Sequence, residues 1–183
     1  MPTGRAKTAD LLTAEEMEEL FLRLQRLSLT APYDIKTTEG QHYRRVVLQQ
    51  ARGQARPSPR APLGINDGKG FVFISHLGGI CPSGFLPLPA GNVRQAELLD
   101  VYQNSPLFRS LRDTSQLKGK CGRCEFKNIC GGSRARAYAF HGDYLAEEPL
   151  CLYQPPAIAA SRPMPIASRH PPIFARPESM LAG

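Results

Sequence analysis

The strongest constraint on this chain is a spacing of cysteines, Cys121-x2-Cys124-x5-Cys130-x20-Cys151. A Cys-x2-Cys pair puts two sulfurs on one tight turn, and Gly122 gives that turn freedom to fold around a metal. Thiolates are soft ligands, suited to zinc or to iron–sulfur clusters. Four of them complete either a tetrahedral zinc ion or a cubane cluster. Of the two the reading favours a single 4Fe–4S cluster, with zinc as the alternative. Structural disulfides fit poorly, because the chain has five cysteines, an odd number.

The surroundings of the cysteines are basic. Lys118, Lys120, Arg123, Lys127, Arg134 and Arg136 flank them, and such cations can offset the negative charge of a thiolate-ligated cluster. The whole chain has 183 residues and a net charge of +7. Part of that excess is local: Arg52, Arg56 and Arg60 lie in one stretch, and Arg162, Arg169 and Arg176 in another. No aromatic-studded recognition motif accompanies the charge, so a nucleic-acid role is not favoured. No run of 18 apolar residues occurs, and the first residues lack the apolar core of a signal peptide. The expected location is the cytoplasm, where thiols stay reduced, with no membrane partner.

Residues 13–28 read as a helix. Thr13 and Glu16 form a capping box, and Met17, Leu20, Phe21, Leu24 and Leu27 recur at helical spacing. Residues 33–37 read as a short strand, and 40–50 as a second helix with Tyr43, Val46 and Val47 inward. Residues 51–65 form a linker in which Pro57, Pro59 and Pro62 forbid helix. Residues 70–76 and 80–86 read as a hairpin about Leu77-Gly78-Gly79, and Gly91 to Arg94 as a turn. Helices are expected over 95–103, with Leu98, Leu99 and Tyr102 inward, and from Pro106, capped by Ser105 and carrying Leu107, Phe108 and Leu111. Another is expected over 131–141. The last 30 residues hold seven prolines, and 157–183 are expected to be a disordered tail.

Two groups of motifs carry a family resemblance. One is Cys121-Gly-Arg-Cys124-Glu-Phe-Lys-Asn-Ile-Cys130-Gly-Gly-Ser-Arg134-Ala-Arg136-Ala, followed by Gly142-Asp143-Tyr144 and Glu148-Pro149-Leu150-Cys151. The other is Asn66-Asp67-Gly68-Lys69-Gly70-Phe71-Val72-Phe73 with Pro82 to Leu88 and Gly91 to Arg94. Together they resemble the C-terminal SPASM/twitch region of radical S-adenosylmethionine (radical SAM) enzymes, on the branch around haem-modifying and peptide-maturase proteins.

The resemblance implies an α+β fold: a small β-hairpin plus helices around a cysteine-ligated cluster at 66–156. Residues 1–50 are then a fragment of an α/β partial TIM barrel. It implies Cys121, Cys124, Cys130 and Cys151 as ligands of one auxiliary 4Fe–4S cluster, for electron transfer or substrate positioning. The family's second auxiliary site keeps only Cys81, because its next two expected cysteines fall on Ala96 and Arg134. Cys81 is therefore expected to be a half-buried strand cysteine.

The family's radical chemistry also needs a Cys-x3-Cys-x2-Cys loop, and every cysteine here lies at or after position 81. The chain is thus expected to be inactive alone, as a truncated product, a fragment or half of a split enzyme. S-adenosylmethionine would enter only in a full-length or split enzyme. Implied partners are a radical SAM core chain, an electron donor, and a peptide or tetrapyrrole substrate.

No catalytic residue stands out. His76, His141 and Asp143 read as turn and cap residues. Arg134 and Arg136, two apart on a helix, should diverge by about 200°, one reaching the cluster or a substrate carboxylate and the other solvated. The alternative from a different class is a small zinc-stabilised binding module with a basic surface.

Overall fold

The structure, a computed structural model, describes residues 7–51 and 64–156. Most of the linker and the proline-rich tail lie outside those residues. The architecture is α+β: short helices with one small antiparallel sheet.

Helix α1 (Ala14–Ser28) starts where the capping box places it. The Thr13 hydroxyl accepts the Glu16 N–H at 3.2 Å, and the Glu16 carboxylate accepts the Thr13 N–H at 2.8 Å. Helix α2 (Tyr43–Gln50) packs against it. Phe21, Tyr43 and Val46 form the buried contact, with Met17, Leu22, Leu24, Ile35 and Val47 around them. Leu20 and Leu27, expected on that inner face, are 39% and 46% exposed, because α2 is short and covers only the Phe21 side. The strand expected at 33–37 does not form. A strand needs a partner for its ladder, and all the described strands pair within one sheet that does not include these residues.

The sheet contains β1 (Phe73–Ile74), β2 (Gly79–Cys81) and β3 (Gly91–Asn92), in that order. Phe73 pairs with Cys81 and Ile74 with Ile80, so the expected hairpin is present but shorter than read. The segment read as a turn at Gly91 is the third strand, pairing Gly91 with Ile80. Ile80 is the hub: fully buried, it packs on Val101 and Phe108.

Helix α3 (Leu98–Asn104) turns Val101 inward and leaves Leu99 at 64% exposure, reversing that part of the expectation. Helix α4 (Pro106–Arg112) is capped by the Ser105 hydroxyl, which accepts the Phe108 N–H. A 3-10 turn, Thr114–Gln116, leads to α5 (Gly119–Arg123). Helix α6 (Arg134–His141) follows and ends at Gly142 in the left-handed conformation. Leu86, Leu111 and Ala135 form a third core under α6. Among the described residues no helix is long and apolar enough to cross a membrane.

Because Ile80 joins the sheet to α3 and α4 with no exposed surface, Ile80→Ala should lower the unfolding free energy by about 2–5 kcal/mol. Urea denaturation monitored by circular dichroism measures it. A loss below about 1 kcal/mol would show that the Ile80 contact is not structural.

Candidate metal centre

Two stretches of chain bring the four cysteines to one cavity. Cys121 comes from α5, Cys124 and Cys130 from the turns that follow it, and Cys151 from the extended segment after α6. His42, Arg45, Lys120, Lys127, Glu148 and Tyr153 complete most of its wall. The α5 helix is too short to be an independent element. Its position is set by Gly122, where a Cβ would lie 2.1 Å from the Leu117 carbonyl oxygen. The glycine that the sequence suggested for flexibility is therefore required for close approach.

Each sulfur receives a backbone N–H. Glu148 donates to Cys121 at 3.3 Å and Gly132 to Cys130 at 3.4 Å. The Phe126 and Tyr153 amides do the same for Cys124 and Cys151, two residues ahead of each amide. Gly132, at φ 65°, has no room for a side chain: a Cβ would lie 2.8 Å from that of Glu148.

Burial pushes the Cys130 thiol up to about 12 and the Cys124 thiol up to about 11, with the neighbouring cysteines adding to both shifts. Burial also raises Cys151, against the pull of Arg45 and Lys120. Four bare thiolates so close together and so dry repel one another. A group carrying positive metal ions relieves that repulsion, so the donor set fits a thiolate-ligated metal or cluster. Among the described residues, no three His, Cys, Asp or Glu side chains sit as close as the ligands of a single metal ion.

A charged frame lies behind the cysteines. Glu148 is fully buried. Its carboxylate accepts Arg136 Nη1 at 2.8 Å, Ser133 N at 2.7 Å and Leu150 N at 3.1 Å. Burial alone would raise this carboxyl, but Arg136 and these donors outweigh it and hold it below the usual range. Arg136 Nη2 donates to the Glu39 carbonyl at 2.7 Å, and the Ser133 hydroxyl donates to the Glu39 carboxylate. Asp67 Oδ2 accepts the first two amides of α6, from Arg134 and Ala135, at 3.1 and 3.0 Å. Asn66 ties the chain on either side of Gly131 by donating to the Cys130 and Gly132 carbonyls.

The expected divergence of Arg134 and Arg136 is present, but neither is solvated: they are 1% and 4% exposed. Arg134 donates to the Tyr144 and Ala146 carbonyls and brings Nη2 to 3.9 Å from Cys121 Sγ. The frame needs both arms, one on the 144–146 turn and one on Glu148. Of the other expected cations, Lys120 and Lys127 reach the cavity, Lys118 pairs with Asp143, and Arg123 is exposed. His76 and His141 are exposed turn and helix-end residues. Cys81 is buried in β2, at 5% exposure rather than half-buried, and does not line the cavity.

His42, Arg45 and Glu39 were not legible as site residues. They precede Cys121 by about 80 residues, and only a helical period marks their stretch. In the sequence Asn66-Asp67 stands out only as part of a motif.

The chain is 38% identical over 162 residues to an AdoMet-dependent heme synthase of Methanosarcina barkeri, covering 85% of this chain and 46% of that protein. A protein of the same name from Oleidesulfovibrio alaskensis is 40% identical over 164 residues, covering 85% and 42%. A PqqA peptide cyclase of Methylocella silvestris is 42% identical over 65 residues, covering 35% and 17%. No protein-family model matches the chain. The chain spans a little under half the length of the heme synthases it matches. It is a relative of radical SAM enzymes of the SPASM type.

Two predictions follow from the frame. Breaking the pair with Arg136→Met should cost about 3–5 kcal/mol in urea unfolding, because Glu148 is left charged and buried. Adding Glu148→Gln should recover part of that loss.

Glu39 gives a pH signature. Burial, then Asp67, push its carboxyl up to about 7 from 4.5. The folded state therefore holds the extra proton between pH 4.5 and 7, and stability falls as pH rises through that window. Relative to Glu39→Gln, the wild-type chain should lose up to about 3 kcal/mol across it. Parallel pH profiles would refute the assignment.

Proposed function

We propose that this chain carries one auxiliary 4Fe–4S cluster, held by Cys121, Cys124, Cys130 and Cys151, within an enzyme of the AdoMet-dependent heme synthase kind. One observation carries the reading: four cysteines from two stretches of chain line one cavity, and each sulfur accepts a backbone N–H. N–H bonds to ligand sulfurs are a lever by which proteins set cluster potential. A single zinc ion is not favoured, since the ligand side chains are not gathered as one ion requires.

The heme synthases align over 85% of the chain and the peptide cyclase over 35%. A tetrapyrrole substrate for the whole enzyme is therefore favoured over a peptide. A cluster with four thiolate ligands has no open iron position, so its contribution when bound is electron transfer or support. The protein supplies the rest. Lys120 and Lys127 bring positive charge to the cavity wall, and the Glu148–Arg136 pair fixes the turn between Cys130 and α6. No Cys-x3-Cys-x2-Cys loop occurs in these 183 residues, so cleavage of S-adenosylmethionine is assigned to a radical SAM core outside them. A thiolate-ligated cluster suits the reducing cytoplasm, where cysteines are not drawn into disulfides.

Anaerobic reconstitution with iron and sulfide tests this. The loaded chain should be brown and hold about four irons. Cys124→Ala or Cys130→Ala should lose the stable cluster, and Cys81→Ala should retain it. A colourless chain holding one zinc overturns the proposal.

A further inference from the structure

One polar side chain in the cavity wall has no role in the frame just described. His42 has no exposed surface, and neither ring nitrogen has a hydrogen-bond partner. It sits at the start of α2, held edge-on against Phe21 with ring centroids 4.6 Å apart. The ring lines the same cavity as all four cysteines. Three residues along, on the same helical face, Arg45 also lines the cavity, and its Nε has no partner although both Nη atoms are engaged. The first turn of α2 thus brings two residues with unpartnered nitrogens to the lining of the cavity that the four sulfurs share.

A buried donor without an acceptor costs about 1–3 kcal/mol. An imidazole has at least one N–H in any protonation state. Packing against Phe21 closes one side of the ring, and the ring also lines the cavity that the four cysteines line. The acceptors that would satisfy it are the sulfurs of a bound cluster.

We infer that His42 is a positioning residue that donates a hydrogen bond to a sulfur of the bound cluster and raises its reduction potential. The inference rests on the cluster reading above but does not follow from it, since the four thiolates would hold a cluster without His42. The reason for the sign is electrostatic. Reduction adds negative charge to the sulfurs, and an N–H dipole aimed at them stabilises the reduced form more than the oxidised one.

The test uses the full chain, reconstituted anaerobically, as wild type, His42→Leu and His42→Gln. The cluster reading requires about four irons in the wild type, and failure there defeats that reading. With iron loaded, His42→Leu should lower the midpoint potential, cutting the reduced-to-oxidised ratio at fixed poise by about tenfold, or about 59 mV for a one-electron couple. His42→Gln keeps an N–H and should lie closer to wild type. Before loading, His42→Leu should be at least as stable as wild type, because it removes an unpaired buried donor.

A loaded His42→Leu with unchanged potential overturns the inference and leaves the cluster reading intact. A large loss of stability before loading, again with unchanged potential, would assign His42 a packing role. Pulsed EPR of the reduced wild-type cluster, with isotope-labelled histidine nitrogen, needs no variant. A weak nitrogen coupling is expected, and its absence overturns the proposal.

Discussion

The buried pair between Glu148 and Arg136 is the constraint on which the rest of the cavity depends. One carboxylate holds the cap of α6 through Ser133, the start of the Cys151 segment through Leu150, and Arg136 itself. The backbone N–H of the same residue donates to Cys121. Glu148 therefore fixes the relative positions of the α6 cap, Cys121 and the segment that leads to Cys151. Such a pair adds little net stability compared with apolar residues of the same shape. Its value lies in direction: a carboxylate with several donors has few acceptable poses, and each pose it excludes is a misplacement of a sulfur.

The electrostatic arrangement has two layers. The inner layer is sulfur, and burial drives its thiols toward the neutral form. The outer layer is mixed. Arg136, Arg134 and Arg45 are balanced by Glu148, backbone carbonyls and Glu18. Lys120 and Lys127 donate to the Cys151 and Gly122 carbonyls. Both lysines line the cavity as well. The balance favours a net negative group inside, which any metal centre bound by four thiolates would be.

Sequence alone made the local features readable. The capping box at Thr13, the serine cap at Ser105 and the glycine stop at Gly142 depend on neighbours within four residues, so their patterns survive in one dimension. The four cysteines were readable because thiolate chemistry restricts what such a spacing can mean. The failures have a common cause. Leu99 and Val101, two residues apart, occupy opposite faces of α3, and only the position of Ile80 decides which one is buried. Residues 33–37 have strand composition, but a strand exists only with a neighbour to pair with. Arg134 and Arg136 looked like one bound and one solvated residue because their acceptors, the 144–146 carbonyls and Glu148, lie on the far side of a loop.

The same reasoning applies to Glu39 and His42, and it carries further. Their partners are separated from them by some 80 to 100 residues, so local pattern could not have assigned them. Glu39 holds a left-handed backbone, φ 55°, which a non-glycine residue adopts only when its surroundings compensate the strain. Those surroundings are Ser133 and Arg136, the cap and first turn of α6. The bend at Glu39 also directs the chain into His42 and α2. The contact that orders the cysteine side of the cavity thus also sets the histidine side. A change at Arg136 should then disturb both walls together, whereas a change at His42 should disturb only its own.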